Sequence, residues 1–232
     1  MLSKAGELLS DNSVRDETTN DYFVSDHNRQ ALQTANYFIH DKDSPNLMYL
    51  QGNYGDGKTT LIHHVCKNFA KHNTSGVIYS RRGEEHLSDT AVKNLRMNII
   101  SKSMQETDLV ILEDFQLFPQ TSYIQAHLCG YIKYRLKNNK KTIFSSNVAI
   151  SEIDDLSLEF ISLINSGLSA VIHIPNESER YEFAKFKAQG YGLRATEPEL
   201  KSLAHTSGSF RIVSDGLYRL KAMQGPSDNG LV

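Results

Sequence analysis

Gly52-Asn-Tyr-Gly-Asp-Gly-Lys58-Thr59 is the stretch that decides the fold class, because it fits the spacing G-x-x-x-x-G-K-[ST]. Glycines at these positions let the backbone curl until successive N–H groups face phosphate oxygens. Upstream, Asn46-Leu-Met-Tyr-Leu50 is a short apolar run that reads as a buried strand. Downstream, Thr59 to Ala70 (TTLIHHVCKNFA) has the apolar spacing of a helix. Strand, loop and helix in that order are the context a phosphate-binding loop requires, since the helix adds the positive end of its dipole. An ordinary glycine turn capping a helix is the competing reading, and the flanking elements argue against it. Gly52, Asn53, Tyr54, Gly55, Asp56, Gly57, Lys58, Thr59 and Thr60 are therefore read as nucleotide-binding. Lys58 would reach the terminal phosphates, and the Thr59 hydroxyl would ligate magnesium.

Outward from the loop, strand and helix patterns alternate. Asn28 to Ile39 spaces Leu32, Ala35, Phe38 and Ile39 at helical intervals. Val77-Ile-Tyr79, Leu109-Val-Ile-Leu112, Thr142-Ile-Phe144 and Ala170-Val-Ile-His-Ile174 read as further strands, with one or two helices between Gly83 and Glu106. Such alternation implies a parallel sheet covered by helices on both faces. From Glu177 the pattern is all-helical (Glu177 to Gln189, Glu197 to His205, Phe210 to Met223), which puts a boundary near Pro175. The expected division is a flexible tail over 1–21, a nucleotide-binding core over 22–175, a helical lid over 176–224 and a short tail over 225–232.

The bulk numbers exclude several classes. With 39% hydrophobic and 22% charged residues the chain has a globular composition, and no apolar run is long enough to cross a bilayer. The N-terminus lacks the apolar region of a secretory signal, so a cytoplasmic protein without membrane partners is expected. Cys66 and Cys129 lie far apart in apolar helical contexts and read as buried free thiols. A net charge of -2 argues against gripping duplex DNA through its phosphates. The one basic cluster, Lys133, Arg135, Lys137, Lys140 and Lys141, reads as a solvated helix face running into a turn. Tyr131 and Tyr134 within it, and His63 and His64 on the helix after the loop, read as packing residues.

A second chemical signal is Leu109-Val-Ile-Leu-Glu113-Asp114, an apolar strand ending in two carboxylates. In enzymes with such loops this strand is expected beside the loop's own strand, with one carboxylate near the magnesium and the other near the attacking water. Glu113 takes the metal side and Asp114 the water side. Aspartate is usual at the first position, and the extra methylene of Glu113 implies altered or water-mediated coordination.

Glu113-Asp-Phe-Gln-Leu-Phe118, Ile143-Phe-Ser-Ser-Asn147, and Gly208-Ser-Phe-Arg211 followed by Gly216-Leu-Tyr-Arg-Leu220 occur in a family-specific order. Together with the loop they resemble the AAA+ domain of the bacterial replication initiator DnaA and of truncated relatives such as Hda, over about Tyr22 to Ala222. The resemblance implies a P-loop α/β core, its parallel sheet flanked by helices, plus a small C-terminal all-helical lid. It implies ATP or ADP with Mg2+ as cofactors. It further implies that Asn147 senses the γ-phosphate and that Arg211 reaches the phosphates from the lid. Arg180 matches an arginine at the start of the family's lid, and Phe23, Val24 and Asn28 match the segment lining the adenine pocket.

The sequence departs from the family twice. Where the family carries an arginine finger, this chain reads LEFISLINSGL over 158–168, with Leu163 at the finger's place and no arginine between Arg135 and Arg180. Such a finger is worth orders of magnitude in turnover, so weak ATPase activity at most is expected. The chain also stops soon after the last motif, without length for the helix-turn-helix that reads origin DNA, so sequence-specific duplex recognition is not expected. The resemblance then implies a nucleotide-gated accessory or regulator of replication initiation. It would act through replication proteins (initiator, helicase or clamp) in homo- or hetero-oligomers. The alternatives are a helicase loader on single-stranded DNA and a nucleotide-bound scaffold that does not hydrolyse. A small-molecule kinase ranks last, since Arg180, Arg194, Arg211 and Arg219 are scattered rather than clustered.

Overall fold

The computed structural model describes residues 22–72, 77–80, 105–118 and 121–224. The tails expected over 1–21 and 225–232, and nearly all of the segment between Gly83 and Glu106, lie outside the described residues. Chain order runs α1 (Asp26–His40), β1 (Leu47–Gly52), α2 (Lys58–His72), β2 (Val77–Ser80), β3 (Leu109–Leu112), α3 (Ser122–Lys137), β4 (Lys141–Ser146), α4 (Leu158–Asn165), β5 (Leu168–Ile172), α5 (Glu177–Gly190), α6 (Glu197–Thr206) and α7 (Phe210–Gln224). Single 3-10 turns follow β3 (Phe115–Leu117) and β4 (Ile150–Glu152).

The five strands form one sheet in the order β2-β3-β4-β1-β5, and every pairing is parallel. Side chains alternate across it, as the period of two demands. Met48, Leu50, Ile111, Ile143, Ala170 and Ile172 face a core shared with α1 and α2. Leu47, Tyr49, Val110, Leu112 and Phe144 face the opposite core with α3, α4 and Phe115. Burial on both faces explains why β1 and β3 read as unbroken apolar runs in the sequence. Parallel pairing brings the C-terminal ends of β1, β3 and β4 to one edge, where open α/β sheets hold ligands.

The order of strands corrects one expectation. The strand ending at Glu113 is not beside β1, because β4 lies between them, with Tyr49 opposite Phe144 and Ile111 opposite Ile143. Strand order is set by which crossovers pack, and no local pattern encodes it.

One member of the basic cluster is a second correction. Arg135 has no exposed surface. Its guanidinium donates to Thr142 Oγ1 (2.8 Å), Thr107 O (2.8 Å), Asp108 O (3.3 Å) and Lys141 O (2.5 Å), tying α3 to the edges of β3 and β4. Lys140 pairs with Asp108 (2.6 Å), Lys133 with Glu159 (2.6 Å), and Lys141 donates to Ser44 Oγ. Lys133 and Lys137 are exposed on α3, as a solvated face requires, whereas Arg135 is not part of that face. Tyr131 is buried as a packing residue, while Tyr134 is 43% exposed. Cys129 is a buried free thiol, and Cys66, also free, is only half-buried.

Helices α5, α6 and α7 enclose an apolar cluster of their own, built on Phe183, Leu200, Phe210, Val213 and Leu217. Phe23, ahead of α1, inserts into it, with ring centroids 5.5 Å from Phe183 and 5.6 Å from Phe210. The N-terminal segment thereby laces the helical cluster to the sheet. Glu179 on α5 reinforces the join by accepting from the Ser25 hydroxyl (3.0 Å) and the His27 N–H (2.9 Å). No described helix is long and apolar enough to cross a membrane.

Candidate functional site

A cleft of about 340 Å³ opens where the β1–α2 loop, the end of β3, the segment ahead of α1 and helices α5 and α7 meet. Gly55 and Gly57 have φ of +89° and +104°, the left-handed conformations that the loop's curl demands and that side chains resist. Tyr54 to Thr60 all line the cleft. Gly52 and Asn53 lie just outside it, yet their carbonyls accept from Lys58 Nζ at 2.5 and 3.1 Å. The lysine head is therefore held on the loop's own backbone. Burial lowers the Lys58 pKa, opposed by the carboxylates of Asp114, Asp56 and Glu113.

Glu113 and Thr59 meet despite the strand between them: Thr59 Oγ1 donates to Glu113 Oε1 at 2.6 Å. The extra methylene of glutamate supplies reach across the sheet edge. Both atoms are hard oxygen donors of the kind magnesium takes. Among the described residues no group of three or more His, Cys, Asp or Glu could hold a metal ion. The Thr59 hydroxyl and the Glu113 carboxylate fit a hard cation such as magnesium, for which one or two protein oxygens suffice. Asp114 also lines the cleft, in a left-handed backbone conformation (φ 53°) that starts the 3-10 turn.

Helix α7 begins on the loop. The Arg211 N–H donates to Gly55 O (3.2 Å), and its guanidinium lies over the Tyr54 ring, 4.9 Å from the centroid, while hydrogen-bonding the Tyr54 hydroxyl. Arg211 accordingly lines the cleft from the helical side.

Other expected site residues stand apart. Arg180 is outside the cleft: its guanidinium donates to Ala204 O (2.8 Å) and Pro175 O (2.5 Å), fastening α5 to α6 and to the connection from β5. These carbonyls take up the charged head, which in this arrangement makes no part of the cleft wall. Val24, partly buried, packs against the α1–α2 core and does not line the cleft. Asn147, exposed, follows β4, whose last residue Ser146 pairs with Gln51, so it stands at the edge near the loop without lining the cleft in this state. Phe23 and Asn28 both line it, and the Asn28 amide is anchored on Phe23 O (2.8 Å) and the Tyr22 hydroxyl (3.1 Å).

The sequence reading missed His27, Phe183, Lys187 and Phe210, which also line the cleft. Nothing local marks Phe183 or Lys187, since α5 is adjacent only after folding. Asp56, one position in the loop pattern, has a distinct character. It is 2% exposed, and burial raises its pKa from 3.8 to about 6, with Lys58 pulling the other way.

The model of the bacterial DnaA ATPase domain matches residues 14–171. The chain belongs to that family. A chromosomal replication initiator protein DnaA from Burkholderia cenocepacia is 25% identical over 198 residues, covering 84% of this chain and 38% of the relative. The chain thus spans less than two fifths of the curated DnaA proteins it matches. Domain III of the Thermotoga maritima replication initiation protein DnaA superposes with a TM-score of 0.74 at 17% identity, covering 91% of this chain and 90% of that one. A replication initiator DnaA bound to AMPPCP and single-stranded DNA superposes with a TM-score of 0.71 at 20% identity, over 86% of this chain and 63% of that one. These likenesses establish the DnaA-type AAA+ fold, with the loop, the Glu113 strand end and α7 arranged around one cleft.

Proposed function

We propose that this chain is an adenine-nucleotide-binding switch of DNA replication initiation, working in the cytoplasm through protein partners. One observation carries the reading: Lys58, the Thr59–Glu113 pair and Arg211 converge on a single cleft from the loop, the sheet edge and the helical lid. The proposed division has a core up to Pro175 and a lid from Asn176, with Phe23 as the hinge-side strap. ATP or ADP would lie along the loop. Lys58 would leave the Gly52 and Asn53 carbonyls for phosphate oxygens, at little cost because one set of acceptors replaces another.

Thr59 and Glu113 would hold Mg2+, which would supply positive charge to neutralise the phosphates. Asp114 would orient a water, and Asn147 would contact the γ-phosphate after a small rearrangement of the β4 end. Arg211 would exchange its Tyr54 contact for phosphate, so that nucleotide fixes how α7 sits on the loop. A bound form differing from the free form at α7 is what a partner would read.

A DnaA of the same fold binds AMPPCP and single-stranded DNA, which supports nucleotide here and keeps single-stranded DNA among the partners. Leu163, in place of the arginine finger, supports low intrinsic turnover and weakens the activating role of the Hda type. Steady-state ATP hydrolysis, alone and with single-stranded DNA, together with capture of partners from the native host using Lys58→Ala as control, tests the proposal. Partners captured by wild type in ATP and lost with Lys58→Ala support a switch. Identical capture by both proteins, with no turnover under any condition, contradicts it.

A further inference from the structure

Beyond the cleft, the helical lid carries an aromatic pair. Tyr191, which caps the end of α5, and Tyr218 on α7 meet with ring centroids 5.0 Å apart, and the Tyr191 hydroxyl donates to the Tyr218 hydroxyl at 3.0 Å. Two helices thus hold the rings in one arrangement, so little side-chain freedom is left to lose when a ligand settles on them. Tyr218 is nevertheless 55% exposed.

Two cations attend the pair. Lys187 Nζ lies 5.9 Å and Lys221 Nζ 5.5 Å from the Tyr191 centroid. Among the described residues neither lysine has a carboxylate partner. The lid offers its own comparison: Tyr181 also lies near two lysines, Lys185 at 5.2 Å and Lys201 at 5.9 Å, but these pair with Glu182 (3.0 Å) and Glu197 (2.7 Å). Positive charge is neutralised at Tyr181 and left open at Tyr191. The one acidic residue of α7, Asp215, stands four residues from both Arg211 and Arg219 and does not offset the lysines. The pair also lies on a path out of the cleft. Lys187 and Ser214 line the cleft, and Tyr191 and Tyr218 follow them by four residues, about one turn further along each helix.

An exposed ring beside uncompensated ammonium groups suits a strand whose bases can stack and whose phosphates carry charge. An acidic polypeptide would satisfy the lysines and leave the Tyr218 ring without a flat partner. A duplex keeps its base faces stacked inside and would leave it unused as well. We infer that Tyr191, Tyr218, Lys187 and Lys221 form a surface on the lid that binds single-stranded nucleic acid, with a base on Tyr218 and neighbouring phosphates on the two lysines. The surface needs no nucleotide in the cleft, so it stands independently of the proposed function.

Fluorescence anisotropy of a short labelled oligothymidylate, without added nucleotide and over a series of salt concentrations, tests it. Tyr218→Ala should weaken binding about five- to a hundredfold, the effect of one lost stack, whereas Tyr218→Phe, which keeps the ring, should bind within about twofold of wild type. Lys221→Gln should make the logarithm of affinity fall less steeply with the logarithm of salt, the slope changing by about 0.7 for one phosphate contact. A purely structural role for the lysine would not move that slope. Lys221 is exposed near the end of α7, so its variant reports on the surface even where Tyr218→Ala lowers stability, which thermal melts detect. No binding by folded wild type overturns the inference, as does wild-type affinity and salt slope in either Tyr218→Ala or Lys221→Gln. Equal affinity for an abasic strand of the same length also overturns it, because the rings would then contribute nothing. A poly-glutamate peptide that binds more tightly than the oligothymidylate, and is lost with Lys221→Gln, overturns it in favour of an acidic polypeptide.

Discussion

Replacing Asp56 with Asn should stabilise the nucleotide-free protein at neutral pH and do so less and less as the pH falls. The side chain is buried beside Lys58, and its carboxyl titrates at about 6 where 3.8 is ordinary. Raising a carboxyl by that amount corresponds to about 3 kcal/mol of disfavour for the charged form. Solvent in the open cleft screens part of this, leaving about 1–2 kcal/mol.

The sign follows from proton counting. Between about pH 4 and pH 6 the native chain holds a proton that the unfolded chain has released, so stability falls as pH rises through that window. Above it the full penalty is present, and below the ordinary carboxylate range it vanishes. Asn carries no charge at any pH and keeps an acceptor oxygen, although it gives up the attraction to Lys58. Guanidinium denaturation at pH 4, 5, 6, 7 and 8, followed by far-UV circular dichroism, should find Asp56→Asn more stable by about 1–2 kcal/mol at pH 8. The gap should close towards pH 4. A gap that stays constant with pH, or a variant less stable at pH 8, would refute the reasoning that burial of this charge dominates.

Further outcomes follow from backbone geometry and burial. Gly55→Ala places a Cβ 2.8 Å from Ser209 Oγ and 3.1 Å from Arg211 Cβ at a φ of +89°; it should lower the melting temperature and weaken ATP binding through the displaced α7 start, by about 1–3 kcal/mol in stability. Gly167→Ala meets the Leu47 carbonyl oxygen at 2.4 Å, backbone that cannot retreat, whereas Gly216→Ala meets only the flexible Leu203 Cδ2 at 2.4 Å. Thermal melts should therefore show a severe loss for the first, above about 3 kcal/mol, and a much smaller change for the second, which gains helix propensity. Arg135→Met strands the Thr107, Asp108 and Lys141 carbonyls and should cost about 3–5 kcal/mol in denaturant titrations.

What the sequence made legible was whatever is written locally. The loop spacing, the apolar runs at Leu47–Leu50 and Leu109–Leu112, and the helical periods after Glu177 each carry their own signal, and each became the element it suggested. The α1 start was placed two residues late because its first residue, Asp26, has no apolar period, and only Ser25 marks the cap. What was illegible depends on contacts between distant segments. The insertion of β4 between β1 and β3 could not be read from any window of sequence. Arg135 looks like its lysine neighbours until the carbonyls of Thr107 and Lys141 close around it. Arg180 matched a family position, yet its hydrogen bonds go to Pro175 and Ala204. His27 was hidden beside the better-matched Asn28, and its meaning lies with Glu179, 152 residues away.

The central claim is that the loop amides and Lys58 enclose a triphosphate. Isothermal titration of ATP with magnesium at moderate salt tests it, comparing wild type with Lys58→Ala. Saturable one-to-one binding by wild type that weakens at least about a hundredfold in the variant, near 2.7 kcal/mol, is the predicted result. Wild-type protein that is folded by circular dichroism yet takes up no adenine nucleotide would contradict the account.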